Sequence, residues 1–210
     1  MHIELTDYQI KLCRLFAEES AKTQQKIEFG NKSTTPRALE EIAHDTYIGK
    51  VAEAAIVTLA WREFGYKIPV NYEIYPRGQY DDEDININGW SIDVKATTKG
   101  KWLLVERNKI EFRKKENNLP DIIMLCKPIG NRVEMIGYTS TSKLIKDENL
   151  LLEGECIPDT KCRLQADNYA LAGSELRDIT EALRYMISRR NVSAEAFKRI
   201  AEAVYYKLRG

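Results

Sequence analysis

Long hydrophobic runs are missing from this 210-residue chain. No apolar stretch approaches the ~20 residues of a membrane span, and the N-terminus carries no signal-peptide pattern. Both absences predict a cytoplasmic protein without a membrane partner, or a nuclear one if its host has a nucleus. Net charge is missing too, since 32 basic residues balance 32 acidic ones. The chain is therefore no bulk polycation that holds nucleic acid through overall charge. Histidine is scarce, at His2 and His44, and the four cysteines Cys13, Cys126, Cys156 and Cys162 fit reduced thiols. Cys156 and Cys162 have C-x5-C spacing with no close C-x2-C pair. Neither an iron–sulfur cluster nor zinc is expected from such a set. Repeats and low-complexity tracts are absent as well.

What is present is charge of uneven distribution. From Glu73 to Asp93 the ionisable residues are almost all acidic. From Lys95 onward come Lys99, Lys101, Arg107, Lys109, Arg113, Lys114, Lys115 and Lys127, with fewer acids between them. Carboxylates for a cation followed by cations for phosphates is a layout suited to phosphodiester chemistry. The plainer reading is a solvated amphipathic helix face around 107–115.

The acidic stretch ends in the most informative segment, Asp84-Ile85-Asn86-Ile87-Asn88-Gly89-Trp90-Ser91-Ile92-Asp93-Val94-Lys95. Asn-Gly between alternating apolar residues marks a β-hairpin, because a type I′ turn needs positive φ at both central residues. A tight turn there sets Ile87 against Trp90, Asn86 against Ser91, Ile85 against Ile92 and Asp84 against Asp93. Side chains alternate along a strand, so Lys95 shares a face with Asp93. Like charges opposite one another are destabilising, and a cation between them relieves the repulsion. A plainer reading is a structural salt-bridge cluster, with Asp82 opposite Lys95.

Around the hairpin the pattern predicts alternating helices and strands. Thr6-Asp7-Tyr8-Gln9 is a capping box opening a helix to about Thr23. A polar loop with Ser33, Thr34 and Thr35 precedes Pro36, which suits the start of a short helix to about His44. The next helix runs from about Tyr47 to Phe64 and stops at Gly65. It is apolar on nearly every side from Val51 to Trp61, so it should be buried. Glu53 lies inside that apolar stretch. It is either an exposed residue paired with Lys50 or a buried carboxylate that needs a cation. A strand is expected over Tyr66–Tyr75, then the hairpin, an extended segment at Trp102–Val105, and a basic helix over about 107–117. Asp121–Cys126 reads as a buried strand, and Arg132–Thr139 as its partner across Gly130-Asn131. Residues 140–173 look irregular. Two C-terminal helices follow, one after Ser174 and one after Asn191 or Ser193.

This order of elements, together with Asp84 and Asp93-Val94-Lys95, resembles the PD-(D/E)XK nuclease superfamily. Gly49-Lys50-Val51-Ala52-Glu53 is similar to the additional helical Glu of that family. The likeness covers roughly 45–140. Two departures are Glu83 in place of the motif proline and Asp in place of the commoner second Glu. The resemblance implies an α/β fold: a restriction-endonuclease-like αβββαβ core with a mixed central sheet of about five strands flanked by helices. Around it would stand an N-terminal helical segment (1–45), the core (46–140), and an irregular segment with a C-terminal helical pair (141–210).

It also implies a divalent-metal-dependent endonuclease cutting DNA phosphodiester bonds. Asp84, Asp93, the Val94 backbone carbonyl and Glu53 would hold Mg²⁺ or Mn²⁺. Lys95 would complete the catalytic set as base or as electrostatic stabiliser. Thr97, Thr98, Lys99, Lys101, Arg113 and Lys114 would contact DNA. Small size resembles junction resolvases more than large restriction enzymes, and cutting both strands favours a homodimer. RNA would be served by the same site. The alternative is a non-catalytic nucleic-acid-binding or assembly protein on the same fold.

Overall fold

The computed structural model describes residues 1–24, 38–75, 83–158 and 160–189. Within them the chain forms β1 (His2–Glu4), α1 (Asp7–Gln24), α2 (Leu39–Phe64), β2 (Ile85–Ile87) and β3 (Trp90–Ala96). There follow β4 (Trp102–Glu106), α3 (Arg107–Lys115), β5 (Ile122–Ile129), β6 (Arg132–Ser140), α4 (Thr141–Leu144), β7 (Leu150–Leu151), β8 (Asn168–Ala172) and α5 (Ile179–Ser188). The fold is mixed α/β. A five-stranded sheet has the order β1-β6-β5-β3-β2, and a three-stranded one the order β4-β8-β7.

The α1 start follows the capping box. The Gln9 N–H donates to Thr6 Oγ1 (3.3 Å), and the Thr6 N–H donates to Gln9 Oε1 (2.9 Å). The helices expected at about 36–44 and 47–64 are one helix, Leu39–Phe64. Between His44 and Tyr47 stand only Asp45 and Thr46, which propagate a helix at modest cost. Its end is as expected: Gly65 takes φ 63°, and its N–H donates to Trp61 O.

The strand expected over 66–75 does not form: among the described residues no ladder pairs it. Tyr66, Ile68, Val70 and Tyr72 nevertheless pack on the core. Their alternation recorded one-sided burial, which an unpaired extended segment shows as well as a strand. Three strands lie where none was expected. β1 pairs with β6, while β7 and β8 fall inside the segment read as irregular. At three and two residues, β1 and β7 carry too few for a period. The first C-terminal helix begins at Ile179 rather than 175, with Asp178 as its cap accepting from the Thr180 N–H (2.7 Å). The second expected helix and the 33–36 loop lie outside the described residues, as does Asp82.

The large sheet has two apolar faces. Ile92, Val94, Met124, Cys126 and Met135 meet α2 and α5 on one side. Ile123 and Leu125 meet β4, α3 (through Ile110) and β8 on the other. β3 runs parallel to β5, pairing Asp93 with Ile123 and Lys95 with Leu125. Neighbours across a ladder share a face, so Asp93 and Lys95 leave the sheet on the α3 side.

Candidate active site

The hairpin has the register that its sequence predicts. Ile85, Asn86 and Ile87 pair with Ile92, Ser91 and Trp90. Asn88 and Gly89 take φ of 51° and 86°, as a type I′ turn requires. The ladder stops one pair short of the expected Asp84–Asp93 match. Asp84 itself ends it. Its Oδ2 accepts from the Val94 N–H at 2.6 Å, in the place a backbone carbonyl would take. The N–H and C=O of one strand residue point to the same side, so the Val94 carbonyl faces the opening left where β2 ends.

That substitution brings two carboxylates together. Loss of hydration pushes the Asp84 carboxyl up to about 6, and the Asp93 carboxylate pushes it the same way. Lys95, the Val94 N–H and Lys50 pull against them. Asp93 is buried, and both its oxygens are engaged. Lys95 Nζ lies 2.6 Å from Oδ2, and Arg113 Nη1 lies 3.2 Å from Oδ1. Arg113 comes from α3, which the crossover between β3 and β5 lays over this face.

Glu53 is buried on α2, not exposed, and it is paired with Lys50. Lys50 Nζ donates to Glu53 Oε2 (2.5 Å) and to the Asn71 carbonyl (3.0 Å), and it stands 4.6 Å from the Phe16 ring centroid. Both alternatives read from sequence are thus partly met: the Lys50 pair exists, and the carboxylate is buried. Lys50 thus ties α2 to the Asn71 backbone, and its charge is the smallest of the influences lowering the Asp84 carboxyl.

The DNA-contact candidates separate. Thr98, Lys99 and Lys114 are exposed. Thr97 folds into its own turn, its hydroxyl donating to the Lys99 carbonyl (2.7 Å) while its N–H donates to Cys126 O. Lys101 pairs with Glu134 at 2.5 Å and holds that carboxyl below its usual range. Arg113 belongs to the carboxylate cluster itself. Sequence spacing could not show this, because α3 and β3 meet through tertiary packing. A basic helix in the crossover after D-x-K was the available signal. His44 is exposed, and Trp102 is half-buried in β4.

Among the described residues no group of three or more His, Cys, Asp or Glu is arranged to hold a metal ion. The donor chemistry nonetheless suits a hard cation. Asp84 and Asp93 offer carboxylate oxygens whose mutual repulsion a divalent charge would relieve. Mg²⁺ commonly takes one or two carboxylates and fills the rest of its shell with water and phosphate. No helix among the described residues is long and apolar enough to cross a membrane. The chain matches no protein-family model, no curated protein and no solved structure.

Proposed function

We propose that this chain is a Mg²⁺- or Mn²⁺-dependent endonuclease acting on DNA, built on a restriction-endonuclease-like core. The observation that carries the reading is the Asp84–Asp93 pair with Lys95 two residues further along β3. The order of parts supports it: a helix with a buried acid, an acidic hairpin, a crossover with a basic helix, then a parallel strand.

Asp84, Asp93 and the Val94 carbonyl would hold the cation; Glu53, paired with Lys50 on α2, is not grouped with them among the described residues. When bound, such a cation polarises the phosphate and makes its bound water more acidic. Asp84 and Asp93 position that charge at the mouth of the hairpin. Lys95 supplies positive charge where the transition state gains negative charge. Thr98, Lys99 and Lys114 meet the flanking phosphates, joined by Lys101 when it leaves Glu134. Cutting both strands would use two such sites in a homodimer.

The test is cleavage of a labelled panel (linear duplex, single strand, flap, four-way junction and RNA) with Mg²⁺, Mn²⁺ or EDTA. Metal-dependent cutting, lost in Asp93→Asn, is expected. A second reading is a non-catalytic nucleic-acid-binding or assembly protein. It is favoured by the engagement of both Asp93 oxygens by side-chain cations. Binding without cutting under every condition would establish that reading.

A further inference from the structure

Asp93 is occupied on both sides, so a cation that takes it as ligand has to displace a side chain. The two occupants are unequal. Lys95 sits at 2.6 Å, whereas Arg113 sits at 3.2 Å, beyond the ~2.7–2.9 Å typical of a strong charge-assisted hydrogen bond. Arg113 makes the longer of the two contacts. Its side chain is 25% exposed and is anchored on α3 over the same face of the sheet. Once released, the guanidinium stays beside the carboxylates. Its planar fork of donors matches a tetrahedral phosphate better than an ammonium does.

We propose that Arg113 is a switched phosphate ligand of the reacting group. It guards Asp93 in the free protein and transfers to the scissile phosphate when a divalent cation takes its place. The proposal rests on the nuclease reading above. It makes cation and phosphate binding mutually reinforcing, because a site without a cation keeps its phosphate-binding arginine tied down. It also gives the 3.2 Å contact a role distinct from the rim lysines, which meet phosphates without touching Asp93.

The experiment compares wild type, Arg113→Gln, Arg113→Lys and Asp93→Asn. Mn²⁺ alone is titrated into each DNA-free protein by calorimetry, and cleavage of the best substrate of the panel is then timed. Removing the guanidinium should tighten Mn²⁺ binding several-fold, since a competitor for Asp93 is gone. The same variant should cut about 100-fold more slowly, the loss typical of one transition-state donor. Guanidinium ion in the buffer should restore part of that rate. Arg113→Lys keeps the charge on α3 and serves as the folding control; it should cut at an intermediate rate. A purely structural ion pair would behave otherwise. Mn²⁺ affinity would hold or fall, and guanidinium would restore nothing. Either result overturns the proposal while wild-type cleavage, lost in Asp93→Asn, keeps the nuclease reading intact. A wild type that neither binds Mn²⁺ nor cuts overturns both.

Discussion

Asp84 is where the chemistry of this fold concentrates at the scale of one residue. Its folded-state pKa of about 6 lies above the ordinary 3.8, because lost hydration and Asp93 both disfavour its charge. A raised carboxyl favours the folded state while it holds its proton. Its stabilising contribution is therefore complete below about pH 4 and is lost as the pH rises through about 6. Asp84→Asn keeps an acceptor for the Val94 N–H and carries no charge. In metal-free buffer it should be more stable than wild type near pH 8, by on the order of 3 kcal/mol. The difference should vanish near pH 4, as read by urea melts across pH. Added Mn²⁺ should reverse the order at pH 8, because a ligand that binds the folded wild type stabilises it. Lys50 belongs to the same scale. Removing one partner of a buried pair typically costs about 3–5 kcal/mol, so Lys50→Ala should lower stability by that order in a denaturant melt. Asp84, Asp93 and Lys95 were legible in the sequence because strand alternation and an Asn-Gly turn convert spacing directly into neighbours. Arg113 was legible only as a basic residue of a basic helix, since its contact with Asp93 spans two elements.

The hairpin is the element that positions the site, and its turn does two jobs. Asn88 takes a left-handed conformation and also donates from Nδ2 to the Met186 and Ile187 carbonyls, both at 3.0 Å. Its Oδ1 accepts from the Tyr66 hydroxyl (3.0 Å). The turn residue thereby caps the end of α5 and ties it to the segment after α2. Asn88→Gly preserves the turn and removes those bonds. It should destabilise by about 1–3 kcal/mol, with faster amide exchange at the C-terminal end of α5. At Gly137 on β6, a Cβ would stand 2.5 Å from Leu176 Cβ and 2.9 Å from Arg177 O. Gly137→Ala should break the Tyr138–Arg177 bridge that joins β6 to the strand-like segment before α5, and a lowered melting temperature should report it. The hairpin register was readable beforehand, whereas the role of Asn88 at α5 was not. A turn preference is local, but the carbonyls it caps lie about a hundred residues away in the chain.

Across the whole molecule, the large sheet divides two apolar clusters, and the carboxylate site sits on the α3 side of that divide. Leu125 is fully buried, pairs with Lys95 across the β3–β5 ladder, and belongs to the α3-side cluster. Leu125→Ala should cost about 2–5 kcal/mol in a denaturant melt, and it should blunt Lys95 as well, because the floor beneath it is gone. Sequence by itself determined the helices with clear caps, the Asn88-Gly89 hairpin and its three-pair register, the β5–β6 pair, and the placing of Asp93 and Lys95 on one face of β3. Each of those rests on forces acting between residues close in the chain: capping bonds, turn dihedrals, side-chain alternation. Tertiary structure alone decided that 66–75 joins no strand among the described residues, that β4 leaves the large sheet for β8, that the Lys50–Glu53 pair is buried in the core, and that Arg113 closes over Asp93. Those outcomes turn on which distant surfaces bury one another, and a local period of apolar residues carries the same signal whichever partner covers it.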